Sequence, residues 1–409
     1  MKAVKSLLVC EYQDDLGLSS FGGVQRTEHL YRALDSLGTC DLLTFSNDKK
    51  VKILSSFNHI SNLVLNDNVD FLDHVTRRNP YLLKKIRSSV IYKYLAYKSF
   101  FVDDELCNKV IAIIDSGRYD SIVSRCIYPL FHFNLDKTKV DCPIYLDIDD
   151  DPVELVNNQI CNSAYPKNKL LELTKLKVVK QIMTEKISEI DHVWYTKTED
   201  RDRYPSYLDH FSILPNIPNW KNITPQKIDL SSNEILFVGS LWWPPNKNGL
   251  FQFIKSNWNK ITTACPNVQL KIVGKGLTDE DMSSLQAYRN ITYLGFVDDL
   301  SQSYKSSLYT ISPIYEGAGT KIKVLESLAF GRTSILSEHA FTGIKHIFDA
   351  GKSIFVENKQ NSFADLCIQL LNDKSKVRKF SEHGKKIVDK HFSFQTFEHI
   401  VHQSLRELV

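Results

Sequence analysis

Tyr309-Thr-Ile-Ser-Pro-Ile-Tyr-Glu-Gly-Ala-Gly-Thr-Lys-Ile-Lys-Val-Leu-Glu-Ser-Leu-Ala-Phe-Gly331 is the most informative stretch of this 409-residue chain. A β-branched, apolar run ends at Ser312. Pro313, Gly317 and Gly319 then make a turn, and Ile322, Leu325 and Ala329 recur at helical spacing. The pattern is strand, glycine-bearing turn and helix, with the helix expected from about Thr320 to Phe330 and Gly331 closing it. Lys321 and Lys323 fall in the first turn, where the helix end already carries roughly half a positive charge. Folding alone calls for no such arrangement. An anion would explain it: the amides of Gly317, Ala318, Gly319, Thr320 and Lys321 would cradle a phosphate, and the two ammonium groups would neutralise it. The plainer alternative is a βα turn with solvated lysines. Two carboxylates bracket the turn. Glu316 and Glu326 could accept hydrogen bonds from a sugar and a ribose, although a Lys323–Glu326 surface pair would also account for the second.

Outward from this segment, short apolar runs alternate with helical patterns. Strands are expected at Ser6–Glu11, Asp41–Phe45, Asn62–Leu65, Ser121–Cys126, Ile144–Asp147, His192–Thr196 and Ser212–Leu214. A second set follows at Glu234–Val238, Gln269–Val273, Ile291–Leu294, Tyr309–Ser312, Ser334–Leu336 and Ser353–Val356. Such alternation predicts parallel sheets with helices on both faces, and the strands are too many for one open sheet of usual size. Pro215–Asn233, with Pro215, Pro218 and Pro225 among polar residues, is the natural boundary. The expectation is an α/β protein of two doubly wound Rossmann-like domains facing a cleft. Residues 1–222 form the first and residues 223–392 the second. Residues 393–409 form a helix that returns to the first, with Phe397, Ile400, Val401 and Leu405 on its apolar face.

Composition narrows the class. With 43% hydrophobic and 24% charged residues the chain reads as globular rather than disordered, and no apolar run approaches the ~18 residues of a membrane helix. The start does not read as a signal peptide, because Lys5 and Glu11 bracket its short apolar run. A formal charge of +3 does not point to nucleic acid. The eight cysteines contain no C-x-x-C pair, so a zinc site or disulfide framework is not expected, and a reducing cytoplasm suits buried thiols.

The segment around Glu316 and Glu326 resembles the second domain of the retaining GT-B glycosyltransferases of family 4 (glycosyl transferases group 1). Glu234-Ile-Leu-Phe-Val-Gly-Ser is similar to that domain's opening strand and donor loop, and Lys271-Ile-Val-Gly-Lys-Gly to its next strand and turn. Gly295-Phe-Val-Asp-Asp-Leu, Gly331-Arg-Thr-Ser-Ile-Leu and Thr342-Gly-Ile match later segments in the same order. Glu316 and Glu326 are ten positions apart, a wider spacing than the family's usual one. The turn is longer too, as in a subgroup with a Gly-x-Gly-Thr-Lys/Arg-x-Lys pattern. Ser240 stands where the family commonly has arginine, followed by Leu-Trp-Trp-Pro-Pro-Asn-Lys-Asn-Gly. The resemblance implies donor contacts from Gly239, Ser240, Asn246, Gly274, Lys275, Gly317, Ala318, Gly319, Thr320 and Glu326. Glu316, Lys321, Lys323 and Lys247 become the expected catalytic set, the lysines facing the leaving diphosphate and Glu316 the donor sugar. Trp242 and Trp243 could line a sugar site or pack in the core.

In the first domain, Ser20-Phe-Gly-Gly-Val-Gln opens a helix expected over Val24–Leu37, and the resemblance puts Gly22 and Gly23 beneath the donor phosphates and the acceptor, although an ordinary tight turn fits as well. Arg125, His132 and Asp149 lie near strand ends and are candidates for the acceptor or sugar side, though a packed or surface histidine also fits His132. Asp147-Ile-Asp-Asp-Asp could orient such residues, be a solvated acidic loop, or hold a divalent metal. The resemblance favours no metal, since GT-B enzymes usually work without one. Residues 77–98 carry Arg77, Arg78, Lys84, Lys85, Arg87, Lys93 and Lys98 with no acidic residue, which suits either an anionic membrane surface or a helix with a solvated basic face.

These readings converge on an enzyme, a hexosyltransferase-type glycosyltransferase. It would move a sugar from a nucleotide diphosphate sugar to a hydroxyl of a glycan or lipid-linked glycan, with retention and without a cofactor. Bacterial surface polysaccharide assembly at the cytoplasmic face of the membrane is the setting the resemblance implies. A sugar-nucleotide epimerase of the same shape and a non-catalytic sugar-nucleotide binder are the competing classes.

Overall fold

In a computed structural model the alternating strands form two separate parallel sheets. The structure describes residues 3–11, 22–46, 57–64, 104–127, 129–130, 133–149, parts of 151–182, 183–204, 210–317 and 321–408. Two compact units emerge, Met1–Pro215 with Phe397–Val409, and Asn216–Thr396.

The first unit holds β1 (Val4–Glu11), β2 (Gly38–Ser46), β3 (Asn58–Val64), β4 (Ser121–Arg125), β5 (Ile144–Ile148), β6 (His192–Tyr195) and β7 (Phe211–Ile213). Their order is β3-β2-β1-β4-β5-β6-β7, every neighbouring pair being parallel. Leu7, Val9, Leu43, Ile122, Ile144, Leu146 and Val193 form its core. Strands buried on both faces need near-continuous apolar runs, which is why β4, β5 and β6 carry no exposed residue. The last helix, Phe394–Leu408, contributes its C-terminal part to this unit. Phe397 meets the His29 ring at 6.0 Å, and Trp194 Nε1 donates to Ser404 Oγ at 3.0 Å.

The second unit holds β8 (Glu234–Val238), β9 (Gln269–Val273), β10 (Ile291–Gly295), β11 (Tyr309–Ser312), β12 (Ser334–Leu336) and β13 (Phe355–Val356), in the order β10-β9-β8-β11-β12-β13. Ile235, Phe237, Leu270, Ile272, Ile311 and Ile335 centre its core. The strand order reverses between β8 and β11, which pair directly through Tyr309–Ile235 and Thr310–Leu236. A parallel sheet opens a crevice beyond its carboxyl ends at such a reversal. The loops after β8 and β11 are the Gly239 loop and the Glu316 turn.

Several local boundaries differ from the expected ones, and three of them bear on the argument. The helix after the Glu316 turn runs Ile322–Ala329, so Lys321 stands at its N-cap and only Lys323 lies within the first turn. β3 begins at Asn58 rather than Asn62, because its polar residues bond to β2: Asn62 accepts from Thr44 Oγ1 at 2.9 Å, and His59 meets the same hydroxyl at 3.0 Å. The first helix starts at Gly22, which places Gly22 and Gly23 inside its opening turn instead of in a preceding loop. The helix end does follow expectation. Gly331 has φ +81°, its amide donates to Leu328 O at 2.9 Å, and the Arg332 amide donates to Ser327 O at 2.8 Å. This double closure needs a residue free of a Cβ clash at Gly331.

Candidate functional site

The reversal between β8 and β11 gathers most of the candidate residues of the second unit. Gly239, the first residue after β8, has so little space that a Cβ there would lie 2.8 Å from Lys323 Nζ and 3.2 Å from Asn246 Nδ2. Lys323 Nζ donates to Asn246 Oδ1 at 2.6 Å, and Asn246 Nδ2 donates to Ser240 O at 2.9 Å. The ammonium also rests 5.3 Å from the centre of the Phe237 ring. Among the described residues Lys323 has no carboxylate within ion-pair distance. Its side chain keeps some exposure, yet its charged end is enclosed. Burial, with help from the Lys321 charge, lowers the Lys323 ammonium to about 7.

Three residues along the same helix, Glu326 accepts from Tyr304 Oη at 3.4 Å. Burial raises its carboxyl to about 7, against the opposing effects of that hydroxyl and of Lys323. Tyr304 is itself fully buried and stacked on Phe330 at 4.2 Å between ring centres. Lys323 and Glu326 therefore do not form the solvated surface pair that their spacing allows.

On the other side of the helix start, Gly317 has φ +97°, and its carbonyl accepts from Lys321 Nζ at 3.3 Å and meets His339 Nε2 at 2.8 Å. Glu316 Oε1 accepts from Asn248 Nδ2 at 3.1 Å. Lys321 gives the helix no side-chain cap, and no acidic residue lies in the first turn. Ala318, Gly319 and Thr320 lie outside the described residues.

The loop after β9 completes the group. Gly274, at φ +141°, approaches so closely that a Cβ would come within 1.9 Å of Gly239 O. Lys275 O accepts from the amides of Leu241 and Trp242 at 2.6 and 3.2 Å. The two loops thus act as one rigid piece holding Gly239 and Ser240. The Lys275 ammonium sits 4.2 Å from the centre of the Phe296 ring. Trp242 and Trp243 are 56% and 47% exposed, so they are not core aromatics; Leu241 fills that place. Lys247 is not brought to this group. It pairs with Asp281, a residue of the capping box that opens the helix Asp279–Leu285.

Asn248, Tyr304 and His339 touch expected site residues and were not singled out in the sequence. Their only signal is position: Asn248 follows the β8 loop, and His339 follows β12, both near carboxyl ends of strands.

In the first unit, Arg125 Nη2 donates to Asp149 at 2.7 Å and to Gly23 O at 3.3 Å, so three expected residues do meet. Asp147 is wholly buried between Arg26 and Arg125, with Arg26 Nε 2.9 Å away. Asp151 accepts from Tyr204 Oη at 2.6 Å and Arg203 Nη1 at 2.8 Å. Three of the carboxylates of the Asp147–Asp151 run, Asp147, Asp149 and Asp151, are therefore committed to internal partners. Among the described residues no three metal-ligating side chains cluster. His132, Asp150 and the basic residues 77–98 lie outside the described residues. Among the described residues no helix is long and apolar enough to cross a membrane.

Residues 232–373 match the family model described as Glycosyl transferases group 1. An uncharacterized 44.6 kDa protein in the cps region of Klebsiella pneumoniae is 28% identical over 149 residues, which cover 34% of this chain and 37% of that protein. The chain therefore matches little more than a third of that relative's length. The fold is similar to sucrose-phosphate synthase from Thermosynechococcus elongatus, with a TM-score of 0.67 at 14% identity over 99% of each chain. It is also similar to Anabaena HepE in complex with UDP, with a TM-score of 0.65 at 12% identity over 98% of this chain and 100% of that one. The resemblance to GT-B glycosyltransferases drawn from the Glu316–Glu326 segment is thus borne out in fold and in the family match of the second unit.

Proposed function

We propose that this chain is a family 4-like retaining glycosyltransferase that moves a hexose from a nucleotide diphosphate sugar to a hydroxyl acceptor. One observation carries the reading: Lys323 holds an enclosed ammonium against a neutral partner, at a helix start with no acidic residue in its first turn. A cation with no carboxylate at ion-pair distance among the described residues suits a diphosphate. Transfer breaks the bond from the sugar to that diphosphate, leaving an oxocarbenium-like sugar and an anionic leaving group. Lys321, Lys323 and the helix start would stabilise the charge that develops. Glu316 would hold the donor sugar, with Asn248 orienting it, and Glu326 the ribose. The acceptor would attack the same face that the diphosphate leaves, and the departing phosphate would take its proton. Lys247 is absent from this scheme because Asp281 already neutralises it.

The reading needs no metal. UDP in the HepE structure and the cps-region origin of the Klebsiella relative support a nucleotide-sugar donor and a surface-polysaccharide setting. A glycan or lipid-linked glycan acceptor, a cytoplasmic location and contact with an anionic membrane through residues 77–98 belong to the same proposal. The test is release of nucleoside diphosphate from UDP-, GDP-, ADP- and dTDP-hexoses by wild type and Glu316→Gln. Release by the wild type and its loss in the variant, at an unchanged unfolding midpoint, is expected. Full release by the variant removes Glu316 from the site, and conversion of the donor hexose without release makes the protein an epimerase.

A further inference from the structure

Lys323 could have been positioned by an acid, as most enclosed lysines are. Its partner is instead Asn246, on the helix Pro244–Phe253, whose amide is oriented from both ends. Nδ2 donates to Ser240 O, which leaves Oδ1 to face the ammonium at 2.6 Å. The backbone N–H of Asn246 donates in turn to Trp243 O at 3.1 Å. On the opposite side the Phe237 ring contributes no charge, and Gly239 leaves no room for a side chain.

We propose that Asn246 is a positioning residue that aims the Lys323 ammonium at the donor's diphosphate while leaving its charge uncompensated. The inference rests on the diphosphate reading of the site and adds that a neutral amide, rather than a carboxylate, is required at this position. A carboxylate would match Asn246 in size and would accept the same hydrogen bond. It would also neutralise the cation before the ligand arrives, and its second oxygen would face Ser240 O, lone pair to lone pair. Among the described residues, the other charged or titratable groups near Lys323 are Lys321 just before its helix, Glu326 within it, and Tyr304 behind Glu326. Lys247, on the same helix as Asn246, is held by Asp281.

A pH signature follows. Burial and Lys321 lower the ammonium to about 7, so the wild type should lose diphosphate affinity above neutrality as Lys323 deprotonates. The loss approaches about tenfold per pH unit for a single linked proton. The sign is fixed: the bound anion favours protonated Lys323, so binding takes up a proton and weakens as pH rises. Asn246→Asp should raise the ammonium, flatten the profile between about pH 7 and 9, and weaken binding at least about tenfold at pH 7. Lys321, Glu326 and Tyr304 are common to both proteins, so the difference between profiles reports position 246. The experiment is calorimetric titration with UDP, GDP, ADP and dTDP, and with the monophosphate of whichever base binds best. Asn246→Ala is the second variant, in case the aspartate prevents folding. It should weaken the diphosphate several-fold and leave the monophosphate within about twofold.

If no diphosphate binds wild type, the reading of the site fails and the inference with it. If a diphosphate binds but Asn246→Asp keeps wild-type affinity and pH profile, the inference alone is overturned. If Asn246→Ala weakens mono- and diphosphate equally, Asn246 shapes the loop and does not aim Lys323, which also overturns it.

Discussion

Gly239→Ala should separate ligand binding from folding. The added Cβ would lie 2.8 Å from Lys323 Nζ, 3.2 Å from Asn246 Nδ2 and 3.4 Å from Asn246 Cγ. Comfortable contact for a carbon begins near ~3.5 Å, so the ammonium must retreat by about 0.7 Å. The obstructing atom is the far end of a flexible side chain, and no left-handed φ is involved at this glycine. The folding cost is therefore that of a strained rotamer, on the order of 1 kcal/mol. The binding cost is larger. The retreat breaks the alignment of the 2.6 Å bond to Asn246 and withdraws the cation from the diphosphate. A charge-assisted hydrogen bond contributes roughly 1.5–3 kcal/mol, which corresponds to a loss of about 10- to 100-fold in affinity. Urea unfolding gives the first quantity and titration with the preferred nucleoside diphosphate the second. Gly274→Ala is the contrasting control, because its Cβ would strike backbone, Gly239 O at 1.9 Å, at φ +141°. It should cost several kcal/mol of stability, on the order of ~3, through overpacking and strain. Undiminished diphosphate affinity in a well-folded Gly239→Ala would refute the placement of Lys323 in the site.

Two further outcomes concern stability. Arg332 is wholly buried and, among the described residues, meets only carbonyls, including Ser307 O at 2.8 Å, Gln226 O at 2.8 Å and Lys227 O at 3.1 Å; burial lowers it to about 10. Arg332→Met would leave those carbonyls without a donor and should destabilise the second unit by roughly 3–5 kcal/mol, read by urea unfolding. His192 is buried beside Ser212 and Trp194, and burial, with a smaller effect of His210, lowers its ring to about 4. The unfolded chain binds a proton here near pH 6.5 and the folded one only near 4, so the first unit should lose stability as pH falls through that window, by up to about 3 kcal/mol. His192→Gln should flatten that part of the profile, and an unchanged slope would show that the ring protonates without penalty.

The strands were legible because parallel strands buried on both faces must be short apolar runs, and Glu234–Val238 and Tyr309–Ser312 sit where those runs lie. β3 was read short because Asn58, His59, Ser61 and Asn62 carry no apolar pattern; their partners on β2 make them a strand. The lysines and glutamates of the site were legible as charges that folding alone does not explain. Their partners were not. Asn246 and Lys323 lie 77 residues apart, and only the pairing of β8 with β11 brings their loops together. Tyr304 lies 22 residues from Glu326, and only the fold brings its hydroxyl to that carboxylate. Lys247 illustrates the reverse case. It had the right charge and the right loop, but its ammonium pairs with Asp281, which is fixed by its own capping box.

Thermal unfolding with UDP, GDP, ADP, dTDP and CMP, each with and without EDTA, tests the central claim most directly. A ligand held only by the folded protein adds about 2.7 kcal/mol at a hundred times its Kd. The account predicts that one nucleoside diphosphate raises the midpoint by several degrees, that CMP does not, and that EDTA leaves the shift intact. No shift with any nucleotide, or a shift abolished by EDTA, would contradict a metal-independent diphosphate site built on Lys321, Lys323 and the helix start.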